Sequence, residues 1–338
     1  MKIGILTGGG DCPGLNPVIR AVVRTALLNH EEVVGIRNGW KGLVENETLP
    51  LDAKAVSGIL HRGGTILGTS RTNPYKEPAA LEKLKKNFKN IDSLIAVGGE
   101  DTLGVAAKLF KEGFKVVGVP KTIDNDLSGT DFTFGFDTAV NIAMDAVDRL
   151  HSTAESHRRI MVVEVMGRHA GWIALHSGIA GGADLILIPE VPIKIDEVTE
   201  SIKKRIARGK NFSIIVVAEG AKFDGNEVTL EKKLDAFGHV RLGGIGELLA
   251  RRIEEATGFE TRVTVLGHVQ RGGSATAFDR VLGSRFGQKA VELVRKGQFG
   301  QMVALKANEI VSVPIETAVG KLKTVDKAFY EMARTFFG

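Results

Sequence analysis

The 338-residue chain carries 43% hydrophobic and 25% charged residues, the balance of a globular protein rather than a disordered one, and is long enough for two domains. Its excess of 45 basic over 40 acidic side chains favours anionic ligands, but no basic run or interleaved aromatic stripe accompanies it, and aromatics make up only 6%, so nucleic acid is not an expected partner. A single cysteine, Cys12, excludes an intramolecular disulfide and suits a reducing compartment, and Met1-Lys2 leads straight into Ile3-Gly4-Ile5-Leu6 without a charged n-region or cleavage site, so a cytoplasmic protein with no membrane partner is expected.

Short β-branched runs alternate with helical patterns, which predicts an α/β fold built from βαβ units around a mostly parallel sheet. Ile3 to Thr7 is the first strand. After the loop Gly8-Gly9-Gly10-Asp11-Cys12-Pro13-Gly14, Asn16 as N-cap and Pro17 as first helical residue open a helix to about Asn29. Three glycines let backbone N–H groups approach an anion closely, with a helix N-terminus behind them; a plain tight turn is the competing reading. The loop lacks both the Gly-Lys-Ser/Thr ending of a P-loop and the third glycine of GxGxxG, which argues against a dinucleotide oxidoreductase. Cys12 reads as a small filler, since no neighbouring charge pattern would activate a thiolate.

Val33 to Ile36 is a second strand, and the glycine-bearing loop from Arg62 to Arg71 has cations at both ends, as a phosphate site would. Ser93 to Val97 is a strand ending in Gly98-Gly99-Glu100-Asp101-Thr102, followed by a helix to about Lys111. Adjacent acids repel phosphate unless a magnesium ion bridges them to it; otherwise they only complement the helix dipole. Lys115 to Val119 is a further strand, and Pro120-Lys121-Thr122-Ile123-Asp124-Asn125-Asp126 leaves its carboxyl end, where ligands collect in open α/β sheets. In an extended loop Asp124 and Asp126 would point to one side, one to take a proton and the other to hold a metal or orient a neighbour; solvated acids of an Asx turn are the alternative.

A helix from Asp137 to about Glu155 leads to a second α/β set, with strands at Ile160 to Val165, Leu185 to Ile188, Ser213 to Ala218 and, as the last strand, Thr261 to Leu266. Helices are expected near His169 to Ile179 and Ile195 to Arg208, and 221–241 reads as a flexible polar excursion. Met166-Gly167-Arg168-His169-Ala170-Gly171-Trp172 and Glu219-Gly220 follow strands, so both face the expected ligand side, although any single arginine is more often a surface residue. The eight histidines show no zinc-ligand spacing.

The runs Thr7-Gly8-Gly9-Gly10-Asp11-Cys12-Pro13-Gly14-Leu15-Asn16, Gly-Gly-Glu-Asp-Thr at 98–102, Pro-Lys-Thr-Ile-Asp-Asn-Asp at 120–126, Met-Gly-Arg-His-Ala-Gly-Trp at 166–172 and Leu-Gly-His-Val-Gln-Arg-Gly-Gly at 266–273 together resemble the 6-phosphofructokinases, in order and over nearly the whole chain. The resemblance implies two doubly wound Rossmann-like α/β domains with the substrates meeting in a cleft between them. Residues 1–135 plus about 270–310 would form the larger domain, on the phosphoryl-donor and Mg²⁺ side. Residues from about 136 to 269 plus 311–338 would form the smaller, fructose 6-phosphate side.

By the same resemblance, Asp124 is the general base, with Lys121, Thr122 and Asp126 at the same centre. Gly10, Arg71, Gly99, Asp101 and Thr102 bind the donor, and Glu100 holds the metal. Thr122, Asp124, Met166, Gly167, Arg168, Glu219, His268 and Arg271 contact the sugar phosphate, together with Arg159 and Arg262 supplied across a subunit interface of a homodimer or homotetramer. ATP-using members commonly have glycine at the positions of Asp101 and Lys121. Two charged side chains there resemble the pyrophosphate-dependent branch, since Asp101 would crowd and repel an α-phosphate while Lys121 neutralises a leaving phosphate. The expected activity is reversible transfer from pyrophosphate to fructose 6-phosphate. The alternatives are an ATP-dependent enzyme whose Asp101 and Lys121 form a structural ion pair, and a non-catalytic sugar-phosphate sensor, which would not need Asp124 and Glu100 together.

Overall fold

The computed structural model describes residues 1–223, 226–227, 229–231 and 241–338, so most of the expected excursion at 221–241 lies outside the described residues. In chain order the elements are β1 (Lys2–Thr7), α1 (Leu15–Leu28), β2 (Glu32–Ile36), α2 (Trp40–Glu45), β3 (Thr48–Leu51), α3 (Pro78–Phe88), β4 (Ser93–Gly98), α4 (Glu100–Lys111), β5 (Val116–Pro120) and α5 (Phe136–His157). Then follow β6 (Ile160–Val165), α6 (Trp172–Ala180), β7 (Leu185–Leu187), α7 (Ile195–Ala207), β8 (Ser213–Ala218) and four short strands, β9 (Lys222–Phe223), β10 (Asn226–Glu227), β11 (Thr229–Glu231) and β12 (Arg241–Leu242). The chain ends through α8 (Ile245–Thr257), β13 (Thr261–Val265), α9 (Ala277–Arg295), β14 (Gln301–Lys306), β15 (Glu309–Pro314) and α10 (Lys327–Arg334). Among the described residues no helix is long and apolar enough to cross a membrane.

Two compact units result. The first comprises Met1–Ile123, Leu127–Thr138 and Arg271–Leu322, and the second Asp124–Asp126, Ala139–Gln270 and Lys323–Gly338. The first therefore runs on to Leu322 rather than ending near 310, because β15 is hydrogen-bonded along β14.

The sheet of the first unit has the order β15-β14-β5-β4-β1-β2-β3, with β1, β2, β4, β5 and β14 parallel and the two outer strands antiparallel. Its central strands β4 and β5 are buried along their whole length, as continuous apolar runs covered on both faces must be. The chain leaves β1 for β2 on one side and returns to β4 on the other, so the loops after β1 and β4 flank a topological switch point. In the second unit β13-β6-β8-β7 form a parallel sheet, and the carboxyl ends of β13, β6 and β8 lie side by side. Its apolar core gathers Ile160, Val162, Ile215, Val217, Leu249 and Ile253 between sheet and helices.

Two expectations are corrected here. Asn16 does not cap α1: Gly14, at φ 108°, takes the cap position without a side-chain bond. The buried Asn16 amide instead donates to the Arg62 carbonyl at 3.0 Å while its oxygen accepts from the Ile66 N–H at 2.9 Å, anchoring the 62–71 loop. Thr261–Val265 is not the last strand, because the β14–β15 hairpin follows. That hairpin escapes notice because its two-residue turn, Ala307-Asn308, places Ala307 at φ 51°, where Asn or Gly is the usual signal. The Asp131 carboxylate holds the turn, accepting from the Ala307 N–H at 2.7 Å.

A buried carboxylate joins the starts of α5 and α9. Asp279 accepts from the Thr138 N–H at 2.8 Å and its hydroxyl at 2.6 Å, while Thr276 caps α9 and donates to Asp137 at 2.6 Å. Burial pushes the Asp279 carboxyl up from 3.8 to about 6. A carboxyl raised in the folded state binds more protons there than in the unfolded chain, so its contribution to stability is full below about pH 4 and lost as pH rises through about 6. Relative to Asp279→Asn, the wild type should therefore lose about 2–3 kcal/mol of unfolding free energy between pH 4 and pH 7. Denaturant unfolding of both proteins across that range checks this, and parallel curves would contradict it.

Candidate active site

Each unit carries its own set of the expected residues. In the first, the glycine loop after β1 is clamped from two directions: the Gly9 N–H donates to the Ser70 carbonyl at 3.2 Å, and the Thr69 hydroxyl donates to the Gly9 carbonyl at 2.6 Å. Arg71, exposed, is the next residue of that clamp. The Lys121 ammonium, only 4% exposed, reaches back from the end of β5 to donate to the Gly10 carbonyl at 2.5 Å. Arg271 closes the same corner, its Nη1 donating to the Asp11 carbonyl at 3.5 Å, and a Cβ on Gly10 would collide with its guanidinium. Arg271, expected among the sugar-phosphate residues, thus borders the glycine loop of the first unit.

Across the switch point, α4 begins at Gly99 without a side-chain cap, and its first turn carries Glu100 and Asp101. Thr102 is buried, Asp101 partly so, and Glu100 is exposed with Oε1 accepting from the Gly320 N–H at 2.9 Å. Among the described residues no group of three or more His, Cys, Asp or Glu gathers to hold a metal. Thr122 accepts at its carbonyl from the Thr133 hydroxyl at 2.7 Å, which fixes the start of the 122–126 segment.

In the second unit, Asp124 and Asn125 are buried and Asp126 partly so. The segment is not extended, because Asn125 sits at φ 51°, and side-chain alternation does not hold across a left-handed residue. Arg168, after β6, has the same φ of 51°. Non-glycine residues in that region are uncommon, and such conformations cluster at functional sites where surrounding structure enforces them. Here the Arg168 N–H donates to Glu219 at 3.2 Å and the Gly171 N–H to Glu190 at 3.0 Å, so the loop after β6 is tied to those after β8 and β7 at strand ends. Met166 and Gly167 are buried in that corner, and His268, exposed, follows the neighbouring strand β13.

Arg159 and Arg262 do not join this group. Both reach Glu260, Arg159 Nε at 2.7 Å from its Oε2, and the Arg159 hydrogen bond holds the Glu260 carboxyl below its ordinary range. They lie at the amino ends of β6 and β13, on the order of 20 Å from Met166 at about 3.3 Å per strand residue. No motif of the sequence points to Glu190, Glu260 or Lys323, whose signal is purely spatial.

A family model described as phosphofructokinase matches residues 2–294. The chain belongs to the phosphofructokinase family. This phosphofructokinase is 59% identical, over the full length of both chains, to the pyrophosphate–fructose 6-phosphate 1-phosphotransferase of Streptomyces coelicolor. It is 52% identical to ATP-dependent 6-phosphofructokinase 3 of the same organism, covering 98% of this chain and 99% of that one. Among solved structures, the phosphofructokinase of Pichia pastoris superposes with a TM-score of 0.84 at 34% identity, covering 94% of this chain, which spans 35% of that longer one.

Burial pushes the Cys12 thiol from 9.0 up to about 12, so it stays protonated at neutral pH. Reaction with a neutral thiol reagent at pH 8 should be slower in the native protein than in the unfolded one by on the order of 10³, from the thiolate fraction alone. Comparable rates in buffer and denaturant would contradict this.

Proposed function

We infer that this phosphofructokinase transfers a phosphoryl group from pyrophosphate to the 1-hydroxyl of fructose 6-phosphate, giving fructose 1,6-bisphosphate and phosphate, and that the reaction runs in both directions of glycolytic flux. The observation that carries the choice of donor is the pair Asp101 and Lys121, charged side chains at two positions where ATP-using members commonly have glycine. Lys121 extends its buried ammonium to the Gly10 carbonyl, within the loops expected to hold the donor, where a cation neutralises the phosphate that leaves. Asp101, in the uncapped first turn of α4, takes space and adds negative charge where an α-phosphate would need neither.

In this reading Asp124 accepts the proton of the sugar hydroxyl as the bond to phosphorus forms, and Thr122 and Asp126 shape the same centre. Gly10, Arg71, Gly99, Asp101 and Thr102 hold the donor, while Met166, Gly167, Arg168, Glu219, His268 and Arg271 hold fructose 6-phosphate. The single exposed carboxylate of Glu100 fits Mg²⁺, which proteins bind through one or two carboxylates plus substrate phosphates rather than in a closed cage. When bound, the ion screens the charge of pyrophosphate. Arg159 and Arg262, a strand length from Met166, are assigned to the sugar-phosphate site of a neighbouring copy in a homodimer or homotetramer. The single cysteine, kept as a thiol, fits a cytoplasmic location.

A coupled assay of the purified protein with Mg²⁺ and fructose 6-phosphate should show turnover with pyrophosphate and little with ATP; the reverse would demote Asp101 and Lys121 to a structural pair. Asp124→Asn, which keeps shape and removes the base, should lower kcat about 10²–10⁴-fold with sugar-phosphate binding retained. Near-full turnover in that variant would remove Asp124 from the mechanism.

A further inference from the structure

Lys323 lies outside every motif that marks the site in the sequence, yet it meets the Asp124–Asp126 segment at two points and the Met166–Trp172 loop at two more. Its N–H donates to the Asp126 carbonyl at 2.8 Å and its ammonium to Asn125 Oδ1 at 3.1 Å. Its own carbonyl accepts from Trp172 Nε1 at 2.8 Å, and the ammonium stands 5.3 Å from the centroid of the Trp172 ring. Two residues on, the Val325 N–H donates at 2.8 Å to the Glu190 carboxylate that also accepts from Gly171. All of these groups belong to the second unit.

Asn125 is 2% exposed and left-handed, held between two acids. Its φ sets the angle between the flanking residues, so whatever fixes Asn125 fixes where Asp124 and Asp126 aim. A one-ångström error in such aim costs rate far more than it costs binding. We propose that Lys323 is a positioning residue for phosphoryl transfer: it locks Asn125 and couples the aim of Asp124 to the sugar-phosphate loop through Trp172. The cation–ring contact orients the ammonium, and the two backbone bonds keep the segment from sliding while the side chain holds Asn125. This inference rests on the role of Asp124 given above.

The test is a cycle of Lys323→Met, Lys323→Arg, Asn125→Gly and the double variant Lys323→Met/Asn125→Gly, assayed with whichever donor the wild type turns over. A wrong donor assignment therefore leaves the result readable. Lys323→Met should lower kcat about 10–100-fold with KM for fructose 6-phosphate changed by less than about threefold, because it spoils aim rather than binding. Lys323→Arg, which keeps a donor, should recover most of the rate. Asn125→Gly keeps the left-handed backbone and deletes the acceptor, so it should match Lys323→Met, and the double variant should be no slower than either single one. A kcat for Lys323→Met within about twofold of wild type, or losses that add in the double variant, would overturn the proposal. If Lys323→Met melts below the assay temperature, Asn125→Gly decides alone, and a wild-type rate in it overturns the proposal.

Discussion

The chain passes from one compact unit to the other between Ile123 and Asp124, and the two charged groups that matter most stand on either side of that crossing. Lys121 is fixed in the first unit by the carbonyl of the glycine loop, and the Asp124–Asp126 segment is fixed in the second by Lys323. In the proposed function the first neutralises a leaving phosphate and the second takes a proton, and only Thr122 and Ile123 separate them in the chain. The left-handed Asn125 bends the chain directly after Asp124.

Electrostatics follow from the same arrangement. Lys121 is 4% exposed, and a buried ammonium is costly unless groups of opposite charge compensate it; in the proposed function a bound phosphate adds to that compensation. Two unit charges at 4 Å attract by about 4 kcal/mol at an effective dielectric constant near 20, enough to weigh the choice between two anionic donors. In the proposed function the acids in the first turn of α4 would act in the opposite sense, repelling bare phosphate and admitting it with a divalent cation. The lysine and the acids follow two adjacent strands, β5 and β4, of one sheet.

Much of this was legible in the sequence, for identifiable reasons. Four strands that carry site loops, β4, β5, β6 and β8, are buried along their whole length and appear as largely apolar runs, and glycine-bearing loops at their ends mark the ligand side. The family motifs then order those loops. What stayed hidden depended on tertiary contact. Asn16 looks like a helix cap but spends its amide on the 62–71 loop; the β14–β15 hairpin turns on Ala307, which has no turn propensity; and the bend at Asn125 is enforced by Lys323, nearly two hundred residues away along the chain. The glutamates that hold backbone in the second unit, Glu190 and Glu219, lie on separate loops, and spacing alone does not pair either with its partner.

The reverse reaction tests the account most directly, because it asks the donor site to build its own substrate. Incubation of the protein with fructose 1,6-bisphosphate, inorganic phosphate and Mg²⁺, without any nucleotide, followed by ³¹P NMR, should show the pyrophosphate resonance growing as fructose 6-phosphate accumulates. Absence of pyrophosphate, with ATP formed instead when ADP replaces phosphate, would contradict the assignment of Asp101 and Lys121 to pyrophosphate chemistry.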